Sequence, residues 1–181
     1  MSRKNSIWAP WRCEYVSRPR EDGCLFCRIF EESNDRENLV LFRGDGCGVV
    51  MNRYPYNSGH LMVVPYRHVS ELEALDETEM LEMMKITRRL IRVMKELMCP
   101  GGFNVGINMG AVAGAGIADH IHLHIVPRWQ GDTNFLPVLA DTRVVPHALL
   151  EMYDGLKKKL KSWRVGKLER KEVEKRWQED R

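Results

Sequence analysis

Residues 118–129 read ADHIHLHIVPRW, with His120, His122 and His124 at every second position. The whole chain has six histidines, so half of them fall inside this short stretch. Side chains of a strand alternate between its faces. This spacing therefore sets three imidazoles on one face and Ile121, Leu123 and Ile125 on the other. The apolar set can bury against a helix while the histidines face a cleft. Two chemistries are open to such a row. Three imidazoles can hold a catalytic metal. Alternatively, a neutral imidazole can attack phosphorus and split one displacement into two, while a neighbouring imidazolium stabilises the phosphate charge or protonates the leaving group.

The segment just upstream, NMGAVAGAGIADH, favours the phosphate reading. Gly110, Gly114 and Gly116 make a loop whose backbone N–H groups can approach a phosphate closely. Far from it in sequence, CLFC places Cys24 and Cys27 at the spacing of half a zinc site. Cys13, Cys47 and Cys99 have no partner at metal spacing. His60 begins a strand, and His147 stands alone in a loop or helix start.

The elements that must position these residues read as five strands and one helix. The strands are NLVLFR (38–43), CGVVMN (47–52), HLMVVPY (60–66), FNVGINMG (103–110) and DHIHLHIVP (119–127). GDG between the first two suits a tight hairpin. Asp76 and Glu79 form a capping-box pattern. After it Met80, Met83, Met84, Thr87, Leu90, Ile91, Met94, Leu97 and Met98 recur at helical spacing, as a buried stripe rather than a cofactor site. Consecutive strands with short connections and one long helix predict an α+β fold, a five-stranded antiparallel sheet with the helix on one face.

Composition narrows the function classes. At 181 residues the chain can bury one substantial core. A net charge of +3 is too small for nucleic acid to be the main partner. No apolar run is long enough to span a bilayer, and the first residues lack the apolar core of an export signal. Five cysteines, an odd number, argue against a disulfide framework. A cytoplasmic protein without membrane or nucleic-acid partners is expected. From Leu156 the chain is basic and helix-forming, with Trp163 and Trp177 embedded in it, so residues 1–155 are read as the catalytic domain and 156–181 as a helical tail.

HIHLHIV resembles the signature of the histidine triad (HIT) superfamily of nucleotide hydrolases and transferases. MNRYPYNSGHLMVVPYRHV (51–69) resembles that family's nucleotide-binding strand pair, and CLFC resembles the zinc-binding start of many bacterial members. WAPWR (8–12) and the segment 124–146 are similar to the bacterial diadenosine tetraphosphate phosphorylase-like branch. The resemblance implies the HIT-like fold, commonly paired as a homodimer with a ten-stranded sheet. It implies His122 as nucleophile toward an α-phosphorus, giving a nucleotidyl-histidine intermediate resolved by phosphate or water. His124 would contact phosphate and leaving group, and the backbone carbonyl of His120 would orient His122. Asn52 would bind ribose, and Asn108, Gly114, Ala115 and Gly116 the phosphate, with His60 beside the nucleotide. Trp129, with Asp132, Asn134 and Phe135, would wall a second nucleoside, and Arg128 would add charge near the polyphosphate. Cys24, Cys27, His68 and His120 would hold a structural zinc, and no organic cofactor is implied. The expected function is cleavage of dinucleoside polyphosphates such as diadenosine tetraphosphate. The alternatives are nucleoside phosphoramidate hydrolysis and a nucleotide-binding regulator with weak catalysis.

Overall fold

The computed structural model describes residues 23–132, 149–161 and 163. The expectations at WAPWR (8–12), Cys13, Asn134, Phe135, His147 and Trp177 lie outside these residues. The elements in chain order are α1 (Leu25–Glu31), β1 (Val40–Arg43), β2 (Cys47–Met51), β3 (Leu61–Pro65), α2 (Glu77–Met98), β4 (Gly102–Ile107), β5 (Leu123–Arg128) and α3 (Leu149–Leu160). The strands form one antiparallel sheet in the order β1-β2-β3-β5-β4. No described helix is long and apolar enough to cross a membrane.

Register assigns the two faces. Val49, Val63 and Leu123 are paired side by side, as are Met51, Leu61 and Ile125. The Cys47 thiol on this same face lies 3.9 Å from the Glu79 carbonyl of α2, so this is the helix-covered face. Val50, Met62 and His124 line up on the opposite face, continuing to Gly106 on β4. There α1 lies across β2. Phe30 occupies the space above Gly48, where a Cβ would run into its ring. Arg43 donates to the carbonyls of Ile29, Phe30 and Glu32 and so fastens the end of α1 to the sheet.

Helix α2 starts as the sequence predicts. The Asp76 side chain accepts from Glu79 N, and the Glu79 carboxylate accepts from Asp76 N. Its buried stripe differs from the expected one. Met83, Ile86, Leu90, Val93 and Met94 are in the core, whereas Met80, Met84 and Leu97 are exposed. The stripe is rotated because Glu79 and Glu82 are themselves buried. Glu79 pairs with Arg67, and Glu82 accepts from the N–H groups of Asp45 and Gly46 in the β1–β2 turn. Gly44 is fixed by the same contact, since a Cβ there would collide with the Glu82 carboxylate.

Helix α3 was not expected to begin at Leu149. It runs across residues 155 and 156, where the sequence divides body from tail, and Leu156, Leu160 and Trp163 belong to the core. The helix also covers the β1 edge, because Tyr153 Oη and Lys157 Nζ both donate to the Val40 carbonyl. Covering an edge strand blocks unwanted pairing. β4, at the other end of the sheet, has no described strand beyond it.

The Glu82 carboxylate makes charge-assisted hydrogen bonds in a buried setting. Glu82→Ala is expected to cost about 2 kcal/mol in a denaturant titration. Glu82→Gln should lose clearly less, because its amide oxygen can still accept one of the two N–H groups.

Candidate active site and metal cluster

The turn between β2 and β3 delivers His60. Asn52 Oδ1 accepts from Tyr54 N, and Asn57 Oδ1 accepts from Ser58 N, folding RYPYNSG into a compact loop. Gly59 has φ +75, and a Cβ there would press on Met98 of α2. His60 is thereby buried, with its Nε2 2.8 Å from His124 Nδ1.

Fixed donors assign the ring protons. The backbone N–H of Tyr56 points at His60 Nδ1 at 3.1 Å, and Asn52 Nδ2 lies 3.3 Å from the same atom. His60 Nδ1 must therefore accept, which leaves the proton on Nε2. That proton is donated to His124 Nδ1, so His124 in turn carries its proton on Nε2. This nitrogen is buried with no hydrogen-bond partner among the described residues. Gly106 lies opposite His124, and a Cβ there would meet nothing within 4 Å, so the space on that side is open.

His122 is set from the other direction. Its Nδ1 lies 2.8 Å from the His120 carbonyl oxygen, which can only accept. Nδ1 thus holds the proton, and the lone pair is on Nε2. Phe26 of α1 packs against His120 and His122, with centroids at 5.4 and 5.0 Å. His122 and His124 stand 4.7 Å apart, edge to face. Burial, and then the neighbouring His124 and His122, push His60 down to about 3. Burial, and then His122, push His124 down to about 4. Burial also lowers His122, against the opposing effect of its hydrogen bond to His120. The row is neutral at pH 7.

The strand carrying the row is shorter than expected. Only His124 lies within β5, with His122 just ahead of it and His120 in a bend. His120 leaves the row and joins a different group. The ligand atoms of Cys24, Cys27, His68 and His120 all lie within 4.8 Å of one another. His120 Nδ1 is 3.2 Å from Cys24 Sγ and 3.7 Å from Cys27 Sγ, and His68 Nδ1 is 3.4 Å from Cys27 Sγ. Tetrahedral zinc with ordinary Zn–S and Zn–N bonds would set sulfur and nitrogen ~3.5 Å apart. These two thiols and two imidazoles fit such an ion. His120 Nε2 donates to the Pro65 carbonyl at 2.8 Å, which frees Nδ1 to face the cluster.

Other expected residues stand differently. Asn108 follows β4 directly, but the N–H groups of Gly114 and Ala115 are turned inward onto the carbonyls of Ala111 and Gly110. Offering them to phosphate would require this turn to open. Arg128 does not supply free charge. Its guanidinium is paired two-pronged with Asp132 and also donates to Asn104. Trp129 is fastened through its indole N–H to the Met98 carbonyl at 3.2 Å, at the end of α2. Asn57 ties this loop to the His60 turn by donating to Asp132 and to the Pro127 carbonyl. Tyr56 is a site neighbour that no motif points to. Its ring lies 4.6 Å from His60 and 5.8 Å from His124.

Residues 33–131 match the HIT domain family. Over 151 residues the chain is 45% identical to an "AP-4-A phosphorylase" of Mycobacterium tuberculosis, covering 79% of this chain and 77% of that one. It is 30% identical over 93 residues to the bis(5'-nucleosyl)-tetraphosphatase (asymmetrical) of Schizosaccharomyces pombe, covering 51% of this chain and 50% of that one. Among solved structures, a zinc-bound histidine triad family protein from Mycobacterium smegmatis superposes with a TM-score of 0.61 at 28% identity, covering 77% of this chain and 94% of that one.

The neutral row has a pH consequence. Unfolded histidines bind protons below pH 6.5, whereas folded His60 and His124 refuse them until about 3 and 4. The unfolded state then holds more protons, so stability must fall as pH drops from 6.5 toward 4. Denaturation midpoints at pH 7 and pH 5 should show this fall. In 15N-detected NMR, both rings should appear as Nε2–H tautomers that do not titrate between pH 5.5 and 8.

Proposed function

This chain belongs to the HIT domain family, and from that premise we propose that it cleaves dinucleoside polyphosphates as a diadenosine tetraphosphate phosphorylase. The observation that carries the mechanism is the hydrogen bond from His122 Nδ1 to the His120 carbonyl. It presents a basic Nε2 at the open face of the row. In the reading advanced here, Nε2 attacks the α-phosphorus of the dinucleotide. The P–N bond forms as the P–O bond to the departing nucleoside polyphosphate breaks. The departing oxygen takes the electron pair, and His124 Nε2–H donates a hydrogen bond to it. Inorganic phosphate then attacks the nucleotidyl-histidine and restores the free imidazole. In this reading Asn52 and His60 would lie toward the nucleoside and Asn108 toward the phosphate.

The cluster of Cys24, Cys27, His68 and His120 is proposed to hold one zinc ion per chain. A zinc there would contribute folding free energy, stapling α1 to the bend before β5. The chain's own contribution is to keep His120 still while its carbonyl orients His122. Thiolate ligands persist in a reducing compartment, which supports the cytoplasm as its location. β4 is the last described strand on its side of the sheet, with Val105 exposed, which supports pairing with a second copy across that edge.

Incubation with diadenosine tetraphosphate, with and without inorganic phosphate, tests the activity. ADP plus ATP formed only with phosphate is expected. AMP plus ATP would mean water is the acceptor. No reaction, with cleavage of an adenosine phosphoramidate, would sink the dinucleotide reading. His122→Ala should leave under a few per cent of turnover with nucleotide binding near intact, roughly as loss of a nucleophile demands.

The purified protein should carry about one zinc per chain. Cys24→Ser should lower zinc content and melting temperature together. Full zinc occupancy in a Cys24→Ser, Cys27→Ser double variant would rule this site out.

A further inference from the structure

We propose that Tyr56 is a positioning residue for the reaction, its ring clamping the His60–His124 pair so that His124 holds Nε2–H toward the departing oxygen. The inference rests on the reading of His124 as the leaving-group donor.

Three observations carry it. The Tyr56 ring packs on His60 with centroids 4.6 Å apart and an interplanar angle of 38°, and it stacks on His124 at 5.8 Å and 30°. The backbone N–H of the same residue donates to His60 Nδ1, which fixes the proton order through His60 to His124. Yet Tyr56 is 41% exposed, so the ring adds little to the core and lies at the mouth of the site. A side chain placed there for stability alone would be expected to face inward.

His124 is held in the plane of its ring by one hydrogen bond, from His60 Nε2 at 2.8 Å. A single bond leaves the imidazole some freedom to swing about its Cβ–Cγ bond. His122 resists that swing edge to face at 4.7 Å. Tyr56 adds a second contact, its plane 30° from that of the His124 ring at 5.8 Å. Nε2 then points in one direction, where its proton is without a partner among the described residues. A donor aimed in advance at developing charge stabilises the transition state more than one that must be oriented during the step.

The consequence is selective for the leaving group. As the P–O bond breaks, its electron pair passes to the departing oxygen. A strongly basic oxygen carries that charge poorly and needs the donor, and a weakly basic one does not. A ring that only fills space would slow every substrate alike, and one that binds substrate would raise KM.

The test uses the full-length protein with adenosine 5'-phosphate esters of graded leaving-group basicity, from p-nitrophenol to simple alcohols, alongside diadenosine tetraphosphate. Tyr56→Leu and Tyr56→Ala should lower kcat roughly tenfold on the basic leaving groups, with KM within about twofold and little change on the p-nitrophenyl ester or on diadenosine tetraphosphate, whose departing polyphosphate is also weakly basic. Tyr56→Phe should restore most of the loss, because the ring and not the hydroxyl acts. His124→Asn serves as the reference and should show a steeper dependence on leaving group. If His124→Asn shows that dependence and the Tyr56 variants slow all esters equally, or change KM alone, the role of Tyr56 is overturned and that of His124 stands. If His124→Asn itself shows none, the reading of His124 falls and this inference with it. Circular dichroism of Tyr56→Leu, which keeps the bulk without the ring, separates either outcome from failure to fold.

Discussion

The site depends on one carbonyl. The oxygen of His120 accepts from His122 Nδ1, and everything catalytic in this arrangement follows from where that oxygen is held. A free imidazole exchanges its proton between two nitrogens, so a nucleophile without this contact would present the wrong atom part of the time. The carbonyl cannot rotate away because its residue is held from three sides. The next N–H, of Ile121, donates to the Val69 carbonyl at 2.7 Å. The His120 ring is bound to the Pro65 carbonyl through Nε2, and its Nδ1 lies against the thiols of Cys24 and Cys27. Sheet, Cys/His cluster and the proposed nucleophile are therefore linked through a single residue.

Burial sets the character of the donors. His60, His122 and His124 are all buried, and the loss of water favours their uncharged forms. The guanidinium closest in sequence, Arg128, is matched by the Asp132 carboxylate. Among the described residues, charge on a phosphate at this row would meet neutral imidazoles rather than an unmatched cation on Arg128. Such donors are strong where water is excluded, and they hold a polyanionic product less tightly than salt bridges would.

Much of this was legible in the sequence, and the parts that were not share a cause. The capping box at Asp76 and Glu79 and the five strands follow from local pattern. So does the alternation that puts His124 opposite the apolar set. The pairing of Cys24 and Cys27 with His68 and His120 came from resemblance, since spacing alone gives only half of a site. Three features escaped because each depends on contacts that residue type and spacing do not specify. The capping-box pattern at Glu79 gives no sign of its pairing with Arg67, and Glu82 carries no signal until the turn at Asp45 and Gly46 is placed beside it. Gly114 and Ala115 read as phosphate donors until their own loop is seen to use their N–H groups. Tyr56 reads as one more turn residue, because nothing in RYPYNSG says that its ring returns over His124. The strand at 119–127 was drawn too long because alternation persists through His120 and His122 even where ladder pairing stops.

His122, the proposed nucleophile, is therefore set between two anchors of different kinds. On the His120 side the anchor is covalent chain, sheet hydrogen bonds and a thiol–imidazole cluster, all of which resist displacement. On the His124 side it is a turn held by Asn52 and Asn57 and closed by an exposed aromatic ring. Rigidity belongs where the attacking atom must keep one lone pair in one place through both displacements. A looser anchor suits the opposite side, since the departing group must leave and an acceptor must enter past the same ring. The asymmetry fits the proposed chemistry, in which the bond to His122 would be made and broken at a fixed nitrogen while the oxygen on the far side of phosphorus changes identity between the two steps.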